Sequence, residues 1–158
     1  KHEKYKKRFK GMLPYLLGIV DALTHLRTLH LPLHDGERVW KKDALIVSVG
    51  NGAYIGGGMK ATPFADPFDG LFEVSVVSSI SRAKFLRLFP SFIKGEHTGL
   101  PEVEYFRTKE LYVECPEECL INYDGELGSG MPVRYKIIPG AVKMLVQQDM
   151  TAANTEEK

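Results

Sequence analysis

No excess of either charge is present in this sequence. The 21 lysines and arginines stand against 20 aspartates and glutamates, for a formal net charge of +1 over 158 residues. A general nucleic-acid binder draws its affinity from a basic surplus, so nucleic acid is not an expected partner. Long hydrophobic runs are missing too. The longest candidate, "MLPYLLGIVDALTHL", is interrupted by Pro14, Asp21 and His25, and a membrane-spanning helix needs about 20 mostly apolar residues. No secretory leader pattern is visible. Cysteine is scarce, with Cys115 and Cys119 the only two, in "VECPEECLI". A structural zinc site takes four ligands. His25 and His30 come near the required histidine spacing but lie in an apolar, helix-like run. The two thiols therefore read as turn residues at a strand end, in a reducing, cytoplasmic setting.

What is present describes an ordinary globular chain. Hydrophobic residues make up 44% and charged residues 26%, enough apolar surface for one domain of this size. The chain opens at Lys1 rather than at Met, and the expectation is a piece of a longer protein. Its first residues, "KHEKYKKRFKG", are strongly basic. Such a run can attract anionic headgroups, but it reads first as a solvated lead-in to a helix. From Pro14 the apolar positions Leu16, Ile19, Val20, Leu23 and Leu26 form one helical stripe. Strand signals follow. Asp35-Gly36 marks a turn, "ALIVSVG" a buried strand, and Phe72, Val74 and Val76 alternate in the next one. Ser81 is placed to cap a short helix that ends by Gly95, with a break expected near Pro90. Five further strands are expected between residues 103 and 146. Segregated helices and strands of this kind predict an α+β, mostly β fold: an antiparallel two-sheet β-sandwich with one or two helices, spanning residues 1–158 without a linker.

Three local patterns could carry chemistry. "PFADPFDGLFEV" sets Asp66 and Asp69 three residues apart among Pro and Gly, which are first of all turn formers. Gly56-Gly57-Gly58 lacks the Lys-Ser/Thr of a phosphate loop and does not fit G-x-G-x-x-G, so it serves either a close ligand or a sharp corner. "NYDGELGSG" reads as a hairpin turn at Asp124-Gly125, with the Glu126 carboxylate at the rim, where it could act as a base or a metal ligand.

The order of these pieces is informative. "SVGNGAYIGGGMKATPFADPFDGLFEV", then "IKGEH", "INYDGE" and "IIPGAVKMLV", closely resembles the carboxy-terminal domain of bacterial-type members of the diacylglycerol and sphingosine kinase family, over residues 15–146. The resemblance implies a two-domain lipid kinase whose second half is an antiparallel β-sandwich like that of NAD kinases. The family's amino-terminal domain carries a G-G-D-G-T nucleotide motif, which these 158 residues do not contain. The implied cofactors are Mg2+ and an ATP bound mainly by that other domain. By the same resemblance, Mg2+ would be held by the side chains of Asp66 and Asp69 and the main-chain oxygen of Leu71. Glu126 corresponds to a proposed catalytic glutamate, with Asp124 beside it. The expected partners are a lipid substrate at the membrane surface, reached from the cytoplasm, and the amino-terminal domain; self-association as a homodimer is compatible with this. Two other readings stand beside the kinase: a non-catalytic β-sandwich that binds a lipid or a partner chain, and, more weakly, an NAD kinase.

Overall fold

The structure is a computed structural model and describes residues 27–55 and 58–143. The helix expected from Pro14, its basic lead-in, Gly56, Gly57 and the polar tail lie outside the described residues. β1 (Leu29–His34) turns into β2 (Val39–Gly50) at Asp35, whose carboxylate accepts hydrogen bonds from the Glu37 and Arg38 amides at 3.1 and 2.7 Å. Next come β3 (Phe72–Ser78), helix α1 (Arg82–Lys94), a single 3-10 turn at His97–Gly99, and β4 (Val103–Thr108). β5 (Glu110–Val113), β6 (Leu120–Tyr123), β7 (Glu126–Ser129) and β8 (Val133–Lys136) complete the order.

Six strands form one antiparallel sheet in the order β4-β3-β2-β1-β5-β8, while β6 and β7 pair only with each other. Mostly antiparallel β in two sheets, with one α-helix among the described residues, is the architecture that the sequence predicts. The core lies on one face of the large sheet. Val74 and Val76 pack there with Leu31, Leu33, Ala44, Leu111 and Val113, ringed by Trp40, Phe72, Phe106 and Tyr135. Each fully buried aliphatic side chain contributes about 1.5–3 kcal/mol. The alternation in β3 accounts for that face only. Its other face is buried as well, at Glu73, Ser75 and Val77.

The break expected at Pro90 does not occur, and α1 runs through it. Ser81 caps the start by accepting the Lys84 amide at 3.3 Å, and Gly95 ends the helix at φ 79° with its amide donating to the Phe92 carbonyl. Pro90 removes one donor, the partner of the Leu86 carbonyl, on a face where both residues are exposed to water. Within the helix the Phe85 ring is buried and lies against those of Phe89 and Phe92 at 5.9 and 6.2 Å, and the Lys60 amide ties the helix to the chain before it by donating to the Ile93 carbonyl at 3.3 Å. Restoring the lost bond by Pro90→Ala should raise stability by about 1–2 kcal/mol, the gain being reduced by the added freedom of the unfolded chain. Urea denaturation measures it, and an unchanged or lower midpoint would show that the helix gains nothing from that bond.

Candidate functional site

The segment between β2 and β3 folds back on itself and ends in two consecutive side-chain turns. Asp66 Oδ1 accepts the Phe68 amide at 2.9 Å, and Asp69 Oδ1 accepts the Leu71 amide at 2.8 Å. The Asp69 amide in turn donates to the Asp66 carbonyl at 3.4 Å. Aspartate closes such turns because its short carboxylate reaches the amide two residues on. Gly70 takes φ 73°, which permits the chain to reverse into β3. The structure thus brings Asp66, Asp69 and Leu71 onto one turn, with the exposed rings of Phe64 and Phe68 beside it.

That turn is fixed from three directions. Thr62, fully buried, donates its hydroxyl to the Gly52 carbonyl at 2.9 Å. Gly50 lies so close to it that a Cβ there would meet Thr62 Oγ1 at 2.1 Å. His97, also fully buried, donates from Nε2 to the Ala61 carbonyl at 3.1 Å and stacks on Phe92 at 4.1 Å. Its Nδ1 has no hydrogen bond of good geometry. Burial holds the imidazole below its usual pKa, opposed by the carbonyls of Ala61 and Ser91. The Lys-Gly-x-His stretch after α1 therefore acts as a clamp on residues 60–63.

The third direction is electrostatic. Arg107 on β4 pairs through its guanidinium with Asp69 Oδ2 and, at 2.8 Å, through Nε with Glu73 Oε1. Glu73 stands opposite Arg107 in the β3–β4 register and is only 2% exposed. Tyr105, two residues before Arg107, shares this face and meets the Phe64 ring edge-on at 6.0 Å. Burial, then the nearby Glu73 carboxylate, pushes its phenol well above the usual range. Neither the Tyr105 hydroxyl nor Glu73 Oε2 completes a well-formed hydrogen bond.

Asp124 and Glu126 stand apart from this arrangement. They lie at the tip of the β6–β7 hairpin, where Tyr123 pairs with Glu126 across a two-residue loop. Asp124 at φ 49° and Gly125 at φ 104° give both loop positions the left-handed conformation that such tight hairpins require. The Gly125 amide donates to Asn122 Oδ1 at 2.7 Å. Among the described residues, no hydrogen bond or ion pair joins Asp124 or Glu126 to the Asp66–Asp69 turn. Sequence reasoning gave no role to Arg107, Glu73, Tyr105 or Thr62, and used His97 only as part of the "IKGEH" piece of the family resemblance. A charged residue inside the apolar alternation of β3 was the available sign for Glu73, and "EYFRT" offers Tyr105 and Arg107 at the two-residue spacing of one strand face. A shallow depression of about 220 Å³ between His34, Glu110, Tyr112 and Arg134 contains none of these groups.

Comparison with known proteins gives a consistent picture. Residues 2–146 match the family described as the YegS C-terminal NAD kinase beta sandwich-like domain. A diacylglycerol kinase of Mycobacterium tuberculosis is 35% identical over 136 residues, covering 85% of this chain and 44% of that protein. A probable lipid kinase, YegS-like, of Pectobacterium atrosepticum is 28% identical over 134 residues, with 84% and 43% covered. The crystal structure of a diacylglycerol kinase from Bacillus anthracis superposes with a TM-score of 0.53 at 20% identity, covering 78% of this chain and 44% of that one. That likeness supports the β-sandwich fold. The chain spans less than half the length of these relatives. No helix among the described residues is long and apolar enough to cross a membrane.

The buried imidazole ties the clamp to pH. With its pKa lowered in the folded state, His97 takes up a proton more readily when unfolded, so stability falls as pH drops below the ordinary histidine value of about 6.5. His97→Gln should be less stable near neutrality yet lose less on acidification from about pH 7.5 to 5. Urea midpoints across that range compare the two, and parallel curves would remove His97 as the source.

Proposed function

The chain belongs to the family of YegS C-terminal NAD kinase beta sandwich-like domains, and from this we propose that it is the carboxy-terminal half of a lipid kinase. The reaction is ATP- and Mg2+-dependent phosphorylation of a lipid hydroxyl, on a diacylglycerol-like substrate at the cytoplasmic membrane surface. ATP is held mainly by an amino-terminal domain. The observation that carries the reading is the double aspartate turn, two carboxylates on one rigid loop with exposed Phe64 and Phe68 beside them to meet an acyl chain.

The turn fits a hard divalent cation. Asp69 already holds the positive charge of Arg107, so a cation is what this position accepts. No cluster of three or more His, Cys, Asp or Glu side chains occurs among the described residues. A metal here would therefore rest on Asp66, Asp69, the Leu71 carbonyl and water, a mixed oxygen set of the kind Mg2+ takes. Arg107 can yield Asp69 Oδ2 without losing its own partner, because Glu73 Oε1 still holds its Nε. Held there, Mg2+ would supply positive charge to the phosphoryl group being transferred. At the hairpin tip, Glu126 would receive the proton of the lipid hydroxyl on its carboxylate as the hydroxyl oxygen bonds to the γ-phosphorus of ATP and ADP departs, with Asp124 beside it to orient it.

Two substitutions in the intact enzyme test these assignments. Asp69→Asn should raise the Mg2+ requirement by at least roughly 10-fold; an unchanged Mg2+ dependence removes the turn from the reaction. Glu126→Gln should lower kcat by about 10²–10⁴-fold with little change in KM, because the group acts only as charge moves in the transition state. Asp124→Asn should cost much less, since Asn tolerates the left-handed backbone at that position. Near-normal kcat in the Glu126 variant would place the base in the other half of the enzyme.

A further inference from the structure

Cys115 and Cys119 flank a tight turn between β5 and β6. The Cys119 amide donates to the Pro116 carbonyl at 2.9 Å, closing a four-residue loop that draws the two cysteines together. Both thiols are free and half-buried, and the Cys119 side chain is near enough to Cys115 to raise its pKa. A disulfide joins residues whose Cα atoms lie about 4.4–6.8 Å apart, a span that a single chain reversal can supply. Cys115 also packs against the main core, which fixes one end of the pair. The turn is pressed from the other side by the exit of the β6–β7 hairpin. A Cβ on Gly130 would lie 1.9 Å from the Pro116 carbonyl oxygen and 2.7 Å from Glu117 Cα. Cys119 itself directly precedes β6. Both ends of the hairpin therefore rest on the turn that the two thiols bracket.

We propose that Cys115 and Cys119 form a dithiol site that an uncharged small-molecule disulfide oxidises to an intrachain disulfide, fixing the base of the β6–β7 hairpin. The ligand class follows from the surroundings: Glu114, Glu117 and Glu118 are exposed around the turn and disfavour an anionic disulfide. Cys119 is the attacking group. Cys115 is packed against the core, which leaves Cys119 as the thiol that meets the small disulfide first; burial, and then Cys119 beside it, also raises the Cys115 pKa. The Cys119 thiolate attacks one sulfur of the small disulfide, forming a mixed disulfide and expelling one thiolate. Cys115 then gives up its proton and attacks Cys119 Sγ, expelling the second. Two protein S–H bonds are lost and one S–S bond forms, while the small disulfide takes both electrons and becomes two thiols.

This inference stands apart from the kinase reading, and its test reads thiols rather than phosphoryl transfer. The intact protein is equilibrated in buffers of bis(2-hydroxyethyl) disulfide and 2-mercaptoethanol, quenched with acid, alkylated and digested. The expected result is loss of both alkylation sites together, with the peptide bearing Cys115 and Cys119 lighter by two hydrogens. In Cys119→Ser, Cys115 should remain alkylatable. Amides of residues 120–130 should exchange hydrogen more slowly in the oxidised protein than in the reduced one. Two alkylatable thiols at the most oxidising ratio, or a stable mixed disulfide on Cys119 with Cys115 still free, would overturn the site. Unchanged exchange in the hairpin despite a formed disulfide would overturn the clamp.

Discussion

The ion pair between Glu73 and Arg107 joins the interior of the sheet to its surface. β3 lies between β2 and β4, and both its faces are covered. A carboxylate on such a strand is tolerable only with a cation aimed at it, and the β3–β4 register supplies that cation directly opposite. Losing one member of a buried pair costs about 3–5 kcal/mol, and the half-exposed arginine places this pair toward the lower end. The same guanidinium reaches outward to Asp69. A requirement of the fold thereby positions the aspartate turn, and the charge needed inside the protein also reaches the edge that carries that turn.

The two parts of the candidate site are held in different ways. The aspartate turn is tied to β4 by Arg107, and the segment leading into it is held by Thr62 on the Gly52 carbonyl and by His97 on the Ala61 carbonyl. The Glu126 hairpin forms a separate ribbon, stiffened at its tip by the Asp124-Gly125 loop and seated at its base on the cysteine turn. One part is fixed by the core, and the other by its own local geometry.

This division explains what was legible in the sequence. Local rules found the turns at Asp35, Asp66, Asp69 and Asp124, the cap at Ser81 and the helix end at Gly95, because each is satisfied within four residues of itself. The alternation of Phe72, Val74 and Val76 found the core face of β3. What escaped depends on distant partners. Nothing near Glu73 announces an arginine 34 positions later, on the neighbouring strand. His97 resembles a loop histidine until the Ala61 carbonyl, 36 residues earlier, is placed against it. Pro90 reads as a helix breaker because sequence rules count the lost hydrogen bond and miss the aromatic packing of Phe85 and Phe92 on the other side. The ordered motif set conveyed the family as a whole, beyond what any single element could.

The clamp on residues 60–63 also bears on the order in which the protein assembles. The Ala61 carbonyl waits for a histidine 36 residues further along, and Asp69 for an arginine 38 residues further along. During synthesis, the aspartate turn emerges well before either anchor exists. Its two side-chain turns can close at once, as they need only neighbouring amides. Their attachment to the sheet has to await α1 and β4 and bears the entropy of closing loops of that length. The turn is therefore shaped early and seated late. A pause in synthesis between residues 70 and 107 would leave it formed but unanchored, with Phe64 and Phe68 exposed to whatever apolar surface is nearby.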